Sequence, residues 1–482
     1  MSTKHEPTGL RANSVRTPGL IAQSLGADEP QLSAVVVVAS VALFAGGATP
    51  AALLIAAIGI AGFLYLVAKF SAVVGDAGGL YTIATEGLGR RAGAVTGWFM
   101  VYGLVLIVPS LFIAAAFLTQ AFFAAVTPGM TALSGQWIWW AVVLTTVGLF
   151  VVFRGVTVSV TLLLAMTFLG LTALLVFDLA ILLQGGLEGI AWGSLLPWNL
   201  GGIGATALFA ALGLAVYTFG GLEGSVYLAE EAEAPTRTVP RAVLISGGIA
   251  SGFFILTALA VVSGYGTERV GEEWGTKVSG VLLELSDIYL FPGYGQFLLA
   301  MVALSGFSVA IANANSTVRL LYSWAQKGLL PRSLARSHPT HRTPHVATAV
   351  VAVAVAVAVV FFFAWQGGSA AGAFNSFTWL SLAGVFGEIL AYLMVGVAGF
   401  VYGRRHGKGL LFTYVAPILC VTVMGLALVT YFVPAPPVAP FTWTPVVGAG
   451  LALVGGIYAV RASTREERGE ALPTTLPVQE SA

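Results

Sequence analysis

Stretches of about twenty consecutive apolar residues recur along this chain, each long enough for an α-helix to cross a bilayer. They fall at residues 19–44, 50–69, 92–126, 137–153, 158–184, 203–229, 241–265, 294–325, 346–366, 374–402, 409–433 and 443–461. A spanning β-barrel requires segments of roughly ten residues that alternate polar with apolar, and these runs do not alternate. Residues 350–360 alternate Val with Ala, both apolar, and read as helix. Composition agrees. Only 9% of the residues are charged and the mean hydropathy is +0.91, against roughly 25% charged in an ordinary soluble domain. The expected fold class is an all-α membrane protein with twelve transmembrane helices.

Lys and Arg accumulate in cytoplasmic loops. With both termini placed inside, only Arg269 and Lys277 of the 22 basic residues fall on the outer side. Residues 1–18 carry Lys4, Arg11 and Arg16 with no small-residue cleavage pattern after the first apolar run, and read as a cytoplasmic tail, not a signal peptide. Residues 462–482 form a second cytoplasmic tail. Between the seventh and eighth runs, Val278, Val281, Leu282, Leu285 and Ile288 recur at helical spacing, which predicts an amphipathic helix lying on the outer surface.

Several function classes drop out at this point. A net charge of +1 gives no general attraction to nucleic acid. Cys420 is the single cysteine, so disulfides and Cys-based metal sites within one chain are excluded. The glycine-rich stretch Gly75–Gly97 lacks a G-K-[ST] ending and follows a membrane helix where a phosphate loop requires a strand. His338, His341 and His345 have spacings open to a metal, but they lie in a basic, proline-containing loop, and no metal is expected there. No Ser–His–Asp arrangement, redox motif or nucleotide loop is present, so neither an enzyme nor a cofactor is expected.

Two apolar runs are interrupted. The sixth reads YTFGGLEGSVYLAEEAEAPTRTVPR over Tyr217–Arg241, with a glycine pair at Gly220 and Gly221 and a carboxylate at Glu223. The first contains LGADEPQLS over Leu25–Ser33, where two adjacent acids meet a proline. An interruption frees backbone groups that hydrocarbon cannot satisfy, so it is tolerated only where it lines a cavity or meets a ligand. An Asp near the bilayer centre costs on the order of 3 kcal/mol, which turns the first interruption toward the protein interior.

The sixth run resembles the corresponding helix and loop of the amino acid–polyamine–organocation permeases. Their pattern is an aromatic, a Gly-containing break, a Glu, then E-E, a Pro and R-x-x-P-R. The stretch Gly75–Gly97 is similar to the same family's G-G-x-Y with a following acid and F/L-G. Asn313–Pro344, beginning NANSTVRLLY, is similar to its A-N-S-x-x-R-x-x-Y and D-G-x-x-P, with Lys327 where that family often has Asp. The resemblance runs over about residues 20–460. It implies a leucine-transporter-type fold: two inverted five-helix repeats over 19–184 and 203–402, and two accessory helices over 409–461. It also implies that the two interrupted helices are equivalent members of the repeats and face each other across the substrate. In one respect the chain departs: the G-S-G common in the first helix is missing. Counting back from Gly46 and Gly47, Ser33 takes the place of its serine.

Expected substrate-binding residues are Asp28, Glu29, Ser33, Tyr217, Phe219, Gly220, Gly221 and Asn313. An acidic pair beside the pocket favours a cationic substrate or accepts a proton, while the alternative makes Asp28 and Glu29 a cytoplasmic helix cap, with Asp28 or Ser24 at the N-cap. Glu223 and Glu388 are the proton-coupling candidates, since removal from water favours the protonated acid; as alternatives, Glu223 bridges helices and Glu388 forms an external gate. Phe219 reads equally as core packing, and Asn313 as an interhelical hydrogen bond. Asp178, near the outer end of the fifth run, is expected within reach of water. Glu230, Glu231 and Glu233, beside Arg237 and Arg241, read as a solvated helix exit with a possible part in an inner gate, and no Lys or Arg is expected inside a span to pair with the buried acids.

The resulting expectation is a secondary transporter, a monomer or homodimer, in the plasma (inner) membrane of a bacterium. It would move an amino acid or related organic amine by alternating access, coupled to protons or by exchange, with a preference for cations. A permease for a neutral amino acid and a non-transporting amino acid receptor are the alternatives.

Overall fold

The computed structural model describes residues 13–28, 30–73, 79–127, 136–196, 198, 205–277, 280–432 and 441–467. Helix α1 (Thr17–Asp28) is followed by a short turn, Pro30–Leu32, and a π-helical turn, Ser33–Val37, before α2 (Val38–Ala45). A 3-10 turn at Gly46–Ala48 leads into α3 (Thr49–Ser71), which has Pro50 in its first turn, where the missing N–H has no intrahelical partner to lose. Then come α4 (Leu80–Leu88), α5 (Arg90–Val126), α6 (Trp137–Arg154) and α7 (Val156–Leu183). Helix α8 (Ala205–Tyr217) breaks and resumes as a 3-10 segment, Leu222–Glu231. The rest comprises α9 (Pro235–Tyr265), α10 (Val270–Lys277), α11 (Gly280–Tyr289), α12 (Tyr294–Gln326), α13 (His345–Gln366), α14 (Ala370–Arg405), α15 (Ala416–Thr430) and α16 (Thr444–Glu467).

Nine helical stretches among the described residues are long and apolar enough to cross a membrane. The difference from the twelve expected lies in three places. Residues Thr17–Ser71 form one 55-residue stretch, more than twice the length of a span. In α7 the apolar helix counted is the shorter Phe168–Leu183. Helix α8 has 13 residues before its break. The polar connection after α9 is two short helices, α10 and α11, where one was expected. Val281, Leu282 and Leu285 are buried and Ile288 is exposed, and Val278 lies outside the described residues. Arg269 and Lys277, the two outlying cations, pair with Glu273 and, for Lys277, also Glu284.

Helices α5 and α12 form the centre. In their most apolar windows 89% and 83% of residues are buried, against 28% for α6 and 33% for α13. Sequence explains the contrast. Val351, Val355, Val359 and Phe362 of α13 are buried on one stripe, while Val350, Val353, Val357 and Val360 remain exposed on the other, a face that suits lipid. This helical spacing accounts for the Val–Ala run. The central helices instead carry small residues that let backbones touch. A methyl group placed at Gly384 of α14 would lie 2.8 Å from the carbonyl oxygen of Gly103 in α5, and the reverse substitution 2.9 Å from that of Gly384.

That contact makes two glycines on long helices respond oppositely to the same change. Gly384→Ala should destabilise the protein by about 1–3 kcal/mol through overpacking. Gly252→Ala, in α9 with nothing within 4 Å of the added carbon, should be neutral or stabilise by up to about 1 kcal/mol. Thermal unfolding of the two variants in one detergent checks the sign; equal shifts would contradict the close approach of α5 and α14.

Candidate functional site

Each interruption has a local cause. Pro30 has no N–H to donate and its ring crowds the carbonyl of the preceding turn, and a π-helical turn follows it at Ser33–Val37. At the other break Gly221 has a φ of 97°, in the left-handed region. A side chain there is excluded twice over, because a methyl group would also lie 2.6 Å from the carbonyl oxygen of Ala27 and 3.1 Å from the amide nitrogen of Asp28. The two interruptions therefore meet backbone to backbone. The Ser225 N–H donates to Ser24 Oγ at 3.1 Å, binding the 3-10 segment to α1. On α12, Asn313 Nδ2 donates to the carbonyls of Ala27 at 2.7 Å and Val309 at 3.1 Å. A third helix thus satisfies a carbonyl from the last turn of α1.

Where these elements meet they enclose a cavity of about 30 Å³, room for about one water. Its wall brings together six of the sequence-selected residues: Asp28, Ser33, Tyr217, Gly220, Asn313 and Glu388. Asp28 and Glu388 are each 3% exposed. Ser33 Oγ donates to the Asp28 carbonyl at 2.9 Å. A methyl group at Gly220 would lie 3.0 Å from Glu388 Oε2, so this carboxylate rests against the second break. Ile107 and Leu111 of α5 and Phe377 of α14 supply apolar wall. A smaller cavity of about 20 Å³ adjoins it, with Val37, Tyr217 and Phe377 as shared lining and Ser40, Thr378 and Ser381 beyond them.

Glu223 sits behind this wall. Its Oε2 accepts from the Tyr392 hydroxyl at 2.9 Å, and its carboxylate accepts from the backbone N–H of Gly221 and of its own residue. Tyr392 follows Glu388 by one turn of α14, so one helix face reaches both carboxylates. Its ring stacks on Phe63 at 4.0 Å. Phe219 lies off the cavity wall, buried with its ring edge-on to Phe254 at 5.0 Å, and Glu29 lies outside the described residues. Asp178 is not within reach of water: it is fully buried, and its Oδ2 accepts from Thr257 at 2.7 Å, between α7 and α9.

The amino acid permease family profile matches residues 21–457. The chain belongs to the amino acid permease family. It is similar to the branched-chain amino acid permease BcaP of Bacillus subtilis (strain 168), 24% identical over 174 residues, which are 33% of this chain and 32% of that protein. It is also similar to uncharacterized transporters of Mycobacterium tuberculosis (strain ATCC 25618 / H37Rv) and Mycobacterium bovis (strain ATCC BAA-935 / AF2122/97). Each is 30% identical over 144 residues, which are 30% of this chain and 32% of the relative. The chain thus spans about a third of the length of each relative.

In this amino acid permease chain the exit from the broken helix differs from its sequence reading. Glu231 is buried, and its partner is Arg319 of α12, itself 2% exposed, in place of Arg237 or Arg241. Arg319 Nε donates to Glu231 Oε1 at 2.5 Å and Nη1 donates to Asn315 Oδ1 at 3.1 Å. A buried cation therefore does lie inside a long apolar helix. Residues of the expected free tail are bound here too. The N–H groups of Ser14 and Val15 donate to the Glu231 carbonyl at 2.9 and 3.0 Å, and that of Glu233 donates back to the Val15 carbonyl at 2.9 Å. Arg16 pairs with Glu233 at 3.3 Å in an exposed contact, worth at most about 1 kcal/mol. Nearer the cavity, Gln23 Nε2 donates to the Ala312 carbonyl at 3.0 Å and to Ser316 Oγ at 3.3 Å. Together these bonds close a polar seam between α1, the 3-10 segment and α12.

The structure also places Lys327 and the three loop histidines. The Nζ of Lys327 lies 4.8 Å from the Tyr81 ring centroid and donates to Thr82 Oγ1 at 3.3 Å, fastening α12 to α4. His338, His341 and His345 do cluster, with ring centroids 4.9 and 5.8 Å from His338. Among the described residues, however, no group of three His, Cys, Asp or Glu side chains is placed to hold a metal. The missed residues were Arg319, Tyr392 and Gln23. The available signal for Arg319 was its position four residues after Asn315, flanked by Val318 and Leu320.

Removing one partner of a buried ion pair strands the other charge, at a cost of about 3–5 kcal/mol. Arg319→Leu and Glu231→Leu should each destabilise by that order, and the double variant should lose clearly less than the two single losses combined. A double-mutant cycle in detergent reads this coupling; strictly additive losses would mean that the pair contributes none.

Proposed function

We propose that this chain is a secondary transporter that moves an amino acid or a related organic amine across the plasma membrane by alternating access, with a preference for cationic substrates. The observation that carries this reading is the meeting of two irregular helices, one with Pro30 and the π-helical turn Ser33–Val37 and one broken at Gly220–Gly221, over a buried cavity with two carboxylates on its wall. Family membership supports it, and so do relatives named as a permease and as transporters. In this reading twelve spans cross the membrane with both termini inside, the first ten forming two inverted five-helix repeats. The carbonyls and side chains around the breaks bind the substrate. Tyr217 and Phe377, shared by the two cavities, close its outer side, and the seam from Gln23 to Arg319 closes its inner side. Glu223 and Glu388 carry the coupled proton.

A neutral substrate is the second reading, favoured by similarity to a protein named as a branched-chain amino acid permease. Broken helices that cradle a solute suit occlusion better than a continuous pore, which sets a channel aside.

Uptake by the purified protein in proteoliposomes under an imposed pH gradient tests the reading. An inward proton gradient should accelerate uptake of the substrate, and Glu223→Gln should slow it by at least about tenfold, equivalent to 1.4 kcal/mol, and flatten its dependence on pH. A Glu223→Gln variant with unchanged rate and pH profile would remove Glu223 from the coupling mechanism.

A further inference from the structure

Away from the central site, a hollow of about 670 Å³ lies between α5, α14 and α16. Its described lining is apolar apart from one residue, Arg461. Leu453 and Ile457 on its rim are exposed, so it opens sideways, toward lipid. The way α16 is fastened fixes its shape. Trp98 of α5 donates from Nε1 to the Leu451 carbonyl at 3.0 Å, and its indole occupies the space beside Gly455, where a side chain would overlap it. Tyr458, its ring 5.9 Å from that of Trp98, donates to the Leu329 carbonyl at 3.1 Å. Toward the start of α16, a methyl group at Gly448 would lie 2.9 Å from Phe386 Cβ, which closes that end of the hollow. The adjacent edge of α16 carries Ala449, Ala452 and Gly456 and stands off from its neighbours. A methyl group at Gly456 would meet nothing nearer than Val95 at 4.0 Å. The hollow therefore results from small residues on a helix that is anchored along another edge.

Its length and its charge both point to one kind of occupant. From Ala449 to Arg461 the lining follows about 18 Å of helix, at 1.5 Å per residue. That is little more than half of the roughly 30 Å of bilayer hydrocarbon, the depth of one leaflet. A spanning helix from a partner would need a seam through both leaflets, whereas an acyl chain needs only one. Arg461 stands at the end of α16 where the membrane surface lies. It is exposed, and none of the described acidic side chains pairs with it. Its forked donors match a phosphate, and basic pockets between transmembrane helices hold anionic headgroups.

We propose that the hollow between α5, α14 and α16 is a binding site for one anionic phospholipid, its acyl chain beside Ala452, Gly456 and Phe386 and its phosphate on Arg461. The site is separate from the central cavity, and the proposal does not depend on what is transported. Native mass spectrometry of the purified full-length protein tests it, with phosphatidylglycerol and phosphatidylcholine of identical acyl chains. Phosphatidylglycerol should be retained about fivefold more tightly, the effect of one arginine on an anionic lipid. Arg461→Gln should abolish that preference. Arg154→Gln should leave it, since it removes an exposed cation over the Phe150 ring at the end of α6. Gly456→Leu, which fills the hollow, should lower retention of both lipids several-fold. The headgroup comparison is made on the unaltered protein and on variants of exposed residues, so it does not depend on Gly456→Leu folding. Equal retention of the two lipids, a preference that survives Arg461→Gln, or one that Arg154→Gln removes equally overturns the proposal. So does a lipid-free dimer that Gly456→Leu dissociates, which would assign the hollow to a second copy of the chain.

Discussion

Hydrocarbon offers no hydrogen bonds, so a helix broken inside a membrane must have its free backbone groups met by other parts of the protein. In this chain the two breaks help meet each other's requirement. Gly221 lies against the Ala27 carbonyl and the Asp28 amide with no room for a side chain. Asn313 takes up the same Ala27 carbonyl from a third helix, and Ser24 accepts from the backbone of Ser225. The cavity is what remains between parts held this closely. Its position follows from where the backbone is irregular, and its small volume follows from how completely the irregular groups are satisfied.

Acidic side chains divide along the same path according to their partners. Glu231 faces a buried guanidinium and forms a structural pair. Glu223 faces backbone amides and a phenol, which fix its carboxylate without supplying a full positive charge. Asp28 and Glu388 face the cavity itself. The chain therefore separates an acid paired with a buried arginine from acids that line the cavity.

The breaks were legible in the sequence because each violates a local rule: Pro30 with two acids in one apolar run, and a glycine pair in another. Tyr217, Gly220, Asn313 and Glu388 were also recoverable, since polar or aromatic groups near such breaks have few other places to go. The partners were not legible. Tyr392 reaches Glu223 across 169 residues and Arg319 reaches Glu231 across 88, and nothing in local periodicity encodes those distances. Arg319 was assigned to the solvated side because arginine marks cytoplasmic ends on average, and a buried counter-charge overrides that average. Phe219 illustrates a finer limit. It adjoins the break in sequence, yet the turn at Gly220 and Gly221 directs Tyr217 to the cavity and leaves Phe219 against Phe254.

A cavity with room for about one water implies that binding a solute requires movement, and the bonding pattern limits where that movement begins. On one side the closure is largely aromatic and apolar, with Tyr217 and Phe377 dividing two small cavities; ring rotations open such a wall without breaking an ion pair. On the other, the seam must give up the Gln23 bonds, the Ser24–Ser225 bond and the shielding of Arg319 from water. Those polar groups become hydrated as they separate, which offsets part of the loss and leaves a wetted lining behind. A solute shifts the balance between two arrangements of such walls only by binding them differently, and not through flexibility alone.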